Sequence, residues 1–220
     1  MLSHDPYNVR SEAMLFRSEI MKYISKEQDV NLLVSIFKHI SLYNILIELN
    51  VNLNHKNHVK GIVYDALNSL VALLNKRERY LHLNLRSMIE HIARIALNKT
   101  YHGDDFDGTV RRKDFDFLKK NKSEENWQYM HNVYTNACYF VHFSPKANLN
   151  ISAKFLQLLT NDLCSPQSKL ISNLHKVSSA IMKTFLVYFH GDVGNTFFRA
   201  KTDLKFLLGN SLYSNFLSRE

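Results

Sequence analysis

The sequence predicts an all-α fold, a single domain spanning residues 1–220 and built as a bundle of about seven to nine helices. Its 220 residues include only six glycines and three prolines, too few for the turns that an all-β fold requires. Apolar residues recur every three to four positions along most of the chain, which is the period of one helical face. With 45% hydrophobic residues, a chain of this length can also bury a sizeable core.

The individual helices follow in order from this apolar spacing. One apolar stripe begins at Leu32 and a second begins at Val63, and each defines a helix. Pro166 marks a later helix start, after which the stripe continues until Gly191. We find no internal repeat and no low-complexity segment. The predicted helices cover residues 11–25, 28–50, 57–77, 80–98, 111–121, 124–143, 150–163, 166–190 and 195–208.

The overall charge suggests an acidic partner. The formal net charge is +8 and the isoelectric point is near 9.4, values common in proteins that bind nucleic acid and also found on solubilising basic surfaces. Two cysteines, Cys138 and Cys164, give no disulfide framework or zinc motif, so a reducing compartment is expected. The N-terminal residues contain no apolar run of signal-peptide length, and no 18-residue apolar run occurs. We therefore expect a cytoplasmic protein without membrane contact.

Residues 99–123 differ in composition from the rest of the chain. Charged residues crowd around Gly103 and Gly108, which indicates a surface excursion that is mobile or lies at the rim of a site. Cationic and aromatic residues alternate in its second half, as they do in grooves that bind an RNA backbone; a charged surface helix is the alternative. The candidate nucleic-acid-binding residues are Arg111, Arg112, Lys113, Lys119 and Lys120.

The predicted helix 80–98 carries a narrow polar strip. Its apolar face is formed by Leu81, Leu85, Met88, Ile92 and Ile95. Arg86, Glu90 and Arg94 follow one another opposite that face at i,i+4 steps, the spacing of helical ion pairs. An exposed ladder of charges is one interpretation. Because leucines flank the ladder, the alternative is a central helix whose charges must be paired or used in function.

The predicted helix 124–143 shows a polar stripe without charges. Its core stripe includes Trp127 and Met130, and the adjoining arc consists of His131, Asn132, Thr135, Asn136, Tyr139 and His142. A solvated face normally collects Lys and Glu, so this arc is predicted to face a partly buried site. Pro145 ends the helix just after His142, which places that histidine in the last turn.

Two segments resemble a known family. The stretch "LRSMIEHIARIAL" and, about 50 residues later, "NACYFVHFS" resemble the Arg-Ser-x-x-Glu helix and the Tyr-x-Val-His segment of bacterial proteins grouped with the HEPN superfamily, over residues 60–190. The resemblance implies an often dimeric α-helical bundle whose active members are metal-independent endoribonucleases of toxin–antitoxin and phage-defence systems. Their signature is Arg, four to six residues, then His. Arg86 and His91 match it, whereas His142 has Asn136 where the arginine would stand.

These observations predict a catalytic site built across two helices. Arg86, Glu90 and the motif residue His91 come from one helix, and Asn136, Tyr139 and His142 come from the other, with both helices packed together and Arg86 and His142 facing a shared cavity. A histidine can take the 2′-hydroxyl proton of RNA while an arginine binds the phosphate, without metal or cofactor. The alternative from the same residues is a buried hydrogen-bonded network that stabilises the bundle.

The predicted function is RNA cleavage by an HEPN-like effector of a toxin–antitoxin or phage-defence system. The expected partners are RNA, an antitoxin or defence-system protein, and a second copy of the chain in a homodimer. The alternative function is a non-catalytic helical module that binds nucleic acid or protein and uses the polar arcs only for packing.

Overall fold

Helices form all the regular structure of residues 5–99, 109–147 and 155–219, the parts of the chain that this computed structural model describes. No strand occurs within them, and the predicted all-α fold is confirmed. Ten α-helices and one 3-10 turn, Ser123–Glu125, make up these ranges. The α-helices are α1 Val9–Ile20, α2 Glu27–Leu49, α3 Lys56–Leu74, α4 Glu78–Ala96, α5 Arg112–Asn121, α6 Trp127–Val141, α7 Phe155–Thr160, α8 Gln167–Tyr188, α9 His190–Thr196 and α10 Lys201–Leu217.

The core is organised around α2 and the α3–α4 hairpin. α2 packs against α1, α3, α8 and α10, and its Tyr43 ring meets the Phe185 ring of α8 edge to face at 4.8 Å. α4 lies between α3, α6 and α8 and buries Leu81, Leu85, Met88, Ile92 and Ile95, as the apolar spacing predicts. The polar strip of α4 is therefore held on a rigid, centrally packed helix.

α2 is long and apolar enough to span a membrane by length and composition. Central helices of helical bundles meet the same criterion, and much of α2 is buried among the other helices here, including Leu33, Ile36 and Leu46. The apolar character of α2 is accounted for by its place in the core.

Three predicted helices differ from the observed ones. The helix predicted from residue 124 is interrupted at Asn126, whose φ of 58° lies in the left-handed region and separates the 3-10 turn from α6. The single helix predicted over 195–208 is wrong, because α9 ends at Thr196 and α10 begins only at Lys201. Phe197 and Ala200 in the break are both buried, so apolar spacing continues through a segment that is not helical. Of the predicted helix 150–163, only Phe155–Thr160 is helical in the described residues; 148–154 lie outside them.

Residues 109–123, the described second half of the charged segment, are more ordered than their composition suggests. Residues 100–108, which include Gly103 and Gly108, lie outside the described residues. The second half forms α5, close to the predicted 111–121, and buries Phe115 and Leu118 completely. The Phe115 ring stacks on His131 at 4.7 Å. These two apolar side chains anchor α5 to α6.

Candidate functional site

α4 and α6 run antiparallel, so their polar residues meet in a defined order. At one end, Arg79 donates to the Val141 carbonyl at 3.0 Å, and the next turn of α4 stacks His82 on Phe140 at 3.7 Å. Farther along, the Arg86 guanidinium lies 5.5 Å from the centre of the Tyr134 ring. The predicted packing of these two helices is confirmed.

The charged residues of α4 form a paired, half-buried array. Glu90 accepts from Arg86 Nε and from Arg94, each at 3.1 Å. The Tyr134 hydroxyl donates to the same carboxylate at 3.1 Å. The side chains of Arg86, Glu90 and Arg94 are 27%, 17% and 7% exposed. The strip is therefore neither a solvated ladder nor fully enclosed: Arg86 is its accessible end and Arg94 its buried end.

This environment fixes the protonation states around Arg86. Burial, followed by the nearby Glu90 charge, raises the pKa of Tyr134 to about 12, and burial also raises the pKa of the Cys138 thiol. Burial by itself lowers the pKa of Arg86, but Tyr134 and Glu90 outweigh it and the pKa is raised overall. Near pH 7, a permanently charged guanidinium thus lies beside a neutral phenol and a neutral thiol.

A second polar cluster lies between α3 and α4. His58 Nε2 faces the Lys99 carbonyl at 3.0 Å and must carry hydrogen, because a carbonyl oxygen only accepts. With His58 neutral, its Nδ1 accepts from His91 Nδ1 at 3.3 Å. His91 Nε2 then presents a lone pair toward Asp65 Oδ2, 3.6 Å away. The tautomers of both rings follow from the one backbone carbonyl.

Burial displaces the pKa values in this second cluster. It lowers the pKa of His91 to about 4, with the nearby Arg94 charge acting in the same direction. Burial also lowers the pKa of His58 and raises the pKa of Asp65. Near pH 7, His91 is therefore an uncharged imidazole.

Gly61 of α3 leaves the space that the His91 ring fills, since a Cβ there would lie 2.2 Å from Nε2. Alanine favours a helix over glycine by about 1 kcal/mol, but overpacking costs about 1–3 kcal/mol. We expect Gly61→Ala to lower the free energy of unfolding by about 1–2 kcal/mol in urea titrations. Gly191→Ala is the control, because nothing lies within 4 Å of its Cβ. A Gly61→Ala protein as stable as wild type would contradict this close packing.

The predicted residues of α6 are placed differently from Arg86. Asn136 is exposed and lines a groove facing α8, and Tyr139 is half-buried with its ring 5.2 Å from Lys146 Nζ. His142 is exposed just beyond the end of α6. His142 directly follows Val141, whose carbonyl accepts from Arg79. Arg79 is seven residues before Arg86, which is roughly 10 Å along the axis of α4. His142 therefore lies about two turns of α4 away from Arg86, and a cavity shared by the two stays a prediction.

The predicted nucleic-acid-binding residues form most of the outer face of α5 and its start. Arg111, Arg112, Lys113 and Lys120 are exposed. Lys119 is half-buried and already paired, with Asp116 at 2.7 Å and with His131 Nδ1 at 3.1 Å. Four of the five candidate cations are therefore accessible to a phosphate backbone. The fifth, Lys119, connects α5 to α6 through its contact with His131.

Two further ionisable residues at the start of α4 were not predicted. Glu78 is buried and accepts the backbone N–H groups of Cys164 at 2.5 Å and Ser165 at 2.9 Å. Although burial alone raises its pKa, the nearby His82 ring and the hydrogen bonds from these backbone groups hold the pKa of Glu78 at about 2. Positions 78, 82, 86, 90 and 94 are all polar and follow at i,i+4 steps, which is the signal that could have found them.

Comparisons with protein-family models, with curated proteins and with solved structures find no match to this chain. Within residues 5–99, 109–147 and 155–219, no three His, Cys, Asp or Glu side chains converge as metal ligands. The structure establishes an all-α bundle, and the assignment of a function rests on the chemistry of its polar clusters.

Proposed function

We propose that this chain is an HEPN-like effector of a toxin–antitoxin or phage-defence system that binds RNA and cleaves it without a metal ion. The observation that supports the proposal is the polar strip of α4, where Arg86 and Arg94 share the Glu90 carboxylate in a half-buried site beside the His58–His91 pair. Ionisable groups that cluster with displaced pKa values are typical of active sites. The resemblance of this helix to the Arg-Ser-x-x-Glu motif points to the same residues.

In this proposal Arg86 binds the scissile phosphate, because it is the exposed end of the strip and stays charged. A histidine accepts the 2′-hydroxyl proton as the 2′-oxygen bonds to phosphorus and the bond to the 5′-oxygen breaks, and the departing 5′-oxygen takes up a proton from water. Two histidines are candidates: His91 lies within the polar cluster, and His142 is the accessible one at the end of α6. The exposed cations of α5 bind the RNA backbone.

Expression in bacteria tests this proposal. The wild-type chain is expected to arrest growth, and the purified protein to degrade RNA in the presence of a chelator, since the chemistry needs no divalent ion. Arg86→Ala is expected to reduce cleavage by roughly 100-fold or more, as for loss of one group that stabilises transition-state charge. His91→Ala and His142→Ala identify the base, because only the catalytic one abolishes cleavage while RNA binding persists.

Lys22→Ala is the matched control, because this exposed lysine pairs only with Glu19 of its own helical turn in the described structure and lies outside α4, α5 and α6. It should leave cleavage and binding unchanged. A folded wild-type protein that leaves RNA intact, alone and together with the products of neighbouring genes, would refute the nuclease proposal.

The separation of Arg86 from His142 favours a second candidate, the non-catalytic helical module that binds nucleic acid or protein. Here the polar strip serves packing. His91→Ala would then lower the melting temperature, His142→Ala would be silent, and the basic face of α5 would still bind a polyanion without cleaving it.

A further inference from the structure

The outer surface of the α3–α4 hairpin is apolar and exposed. On α3, Tyr64, Leu67 and Val71 recur at the spacing of one helical stripe. On α4, Tyr80 and Leu83 follow the same spacing. All five side chains are exposed, and each stripe lies opposite the buried face of its own helix. These five residues form what we call the hairpin face, which points away from the core.

The short helix α7 continues this apolar surface at the tip of the hairpin. Four of its six residues are phenylalanine or leucine, yet none of the six is buried. Phe155, Leu156 and Leu159 are exposed. Arg77, in the turn of the hairpin, holds α7 through its backbone by donating to the Leu158 and Leu159 carbonyls. Most helical stability comes from burying an apolar face, and α7 lacks that burial in the described structure.

The exposed apolar area is large for a single chain. The five residues of the hairpin face and the three exposed residues of α7 are between 40% and 75% exposed. At about 150–200 Å² for a fully exposed side chain of this size, they present roughly 800 Å². The largest apolar patch on a typical monomer is about 300–600 Å², whereas a stable complex takes about 800 Å² from each partner. The surface is therefore large enough for a stable interface with a protein.

The exposed charges beside this surface are positive. Lys60, Lys76 and Arg79 are exposed. Within residues 56–96 and 155–163 no carboxylate is exposed; those present are buried or half-buried, namely Asp65, Glu78, Glu90 and Asp162. A second copy of the chain, docked through the same face, offers these cations like charges and no exposed carboxylate, which opposes binding. A partner with carboxylates around an apolar surface is complementary.

Polar side chains within the hairpin face favour a protein over a lipid surface. Asn68 lies one turn after Tyr64, and Ser87 lies one turn after Leu83; both are half-buried among the apolar residues. The Asn68 amide donates to the Tyr64 carbonyl at 2.8 Å, which leaves its own carbonyl oxygen as an acceptor. Acyl chains cannot donate to that oxygen, and an unsatisfied polar group is costly in lipid, whereas a protein can supply a donor.

We propose that the hairpin face and α7 bind a protein partner through an amphipathic helix whose apolar stripe is flanked by Asp and Glu. The apolar stripes of α3 and α4 lie on neighbouring helices with smaller residues between them, a form of groove that receives a helix. The carboxylates of the partner pair with Lys60, Lys76 and Arg79. The surface does not depend on nuclease activity; only the naming of its partner as an antitoxin or defence-system protein rests on the proposed function.

Selection from a displayed library of helical peptides, with apolar and charged positions randomised, tests the proposal. Peptides selected on the wild-type protein are expected to carry Asp or Glu beside apolar residues at three-to-four spacing. By fluorescence anisotropy, Leu83→Ser should weaken a selected peptide at least about fivefold through lost apolar contact. Lys60→Glu should weaken the same peptide and strengthen a version in which Lys replaces its Asp and Glu. Leu15→Ser, at an exposed leucine of α1, is the matched control that leaves binding unchanged.

Several results would overturn the inference: enrichment of no peptide, selected peptides without an excess of Asp and Glu, or binding that survives Leu83→Ser. A wild-type dimer in sedimentation equilibrium that Leu83→Ser makes monomeric would assign the face to a second copy instead. Flotation with phosphatidylserine–phosphatidylcholine vesicles, lost in Leu83→Ser, would assign it to a membrane. Circular dichroism checks folding, and Tyr64→Ser repeats the test from α3. RNA cleavage by the wild-type protein is measured separately, so either proposal can fail without the other.

Discussion

Replacing Glu90 by alanine is expected to lower the free energy of unfolding by about 3 kcal/mol, the lower end of the cost of removing one partner from a buried ion pair. Glu90 accepts from Arg86, Arg94 and Tyr134, and its loss removes all three of these contacts. The partial exposure of Arg86 keeps the effect below that of a fully enclosed pair. For a chain of this size, the melting temperature should fall by roughly 6–12 °C.

The matched control is Glu19→Ala, which removes an ion pair of similar length on the surface. Glu19 and Lys22 lie 2.5 Å apart with side chains 54% and 66% exposed, so the loss of stability should be far smaller than for Glu90→Ala. Urea titration of both variants gives the comparison. If Glu90→Ala were no less stable than Glu19→Ala, the array would be a solvated ladder, and the case for a functional site at α4 would lose its main support.

Lowering the pH from 7 to 4 is expected to destabilise the protein by about 3 kcal/mol through His39 alone. This ring is buried in the core with Nδ1 2.8 Å from the Ser178 hydroxyl. Burial, aided by the charges of His175 and Lys38, lowers its pKa to about 3. Below about pH 6.5 the unfolded chain takes up a proton that the folded protein does not, so stability is full above that pH and falls toward pH 3. His91, with a pKa of about 4, adds to the same trend.

His39→Gln identifies the His39 share, because a neutral side chain cannot take up the proton in either state. Urea titrations at a series of pH values should show a shallower loss of stability between pH 6.5 and 4 for this variant, whatever its stability at pH 7. His142→Gln, at an exposed position, should keep the wild-type slope. A His39→Gln slope equal to that of wild type would mean that the buried ring is protonated without cost.

The fold was predictable because its signal is local. Apolar spacing located α2, α3, α4, α6 and α8 within a few residues of their observed bounds, since each helix buries one continuous face. Spacing could not locate the break between α9 and α10, where Phe197 and Ala200 remain buried although the backbone leaves the helix. Nor did it reveal the left-handed Asn126, because asparagine is also tolerated within helices.

The site was only partly predictable because its contacts cross between helices. The pairing of Arg86 with Glu90 followed from i,i+4 spacing within one helix, and the structure confirms the contact. The partners of His91 are on α3, 26 and 33 residues away at Asp65 and His58, and no pattern in the sequence fixes the rotation of α3 against α4. Whether His142 acts with these groups stays a prediction, since helix packing places it near the far end of α4.

The contact between Asp65 and His91 allows one proton to be carried by either of the two groups. The lone pair on His91 Nε2 faces the carboxyl group, so a single proton bound there can reside on either side of the 3.6 Å gap. On Asp65 it leaves two uncharged groups, and on His91 it creates an ion pair, while the net charge is the same in both forms. The two forms therefore differ in the direction of the local dipole between α3 and α4. The balance between the two forms then responds to the electric field of its neighbours, Arg94 first among them.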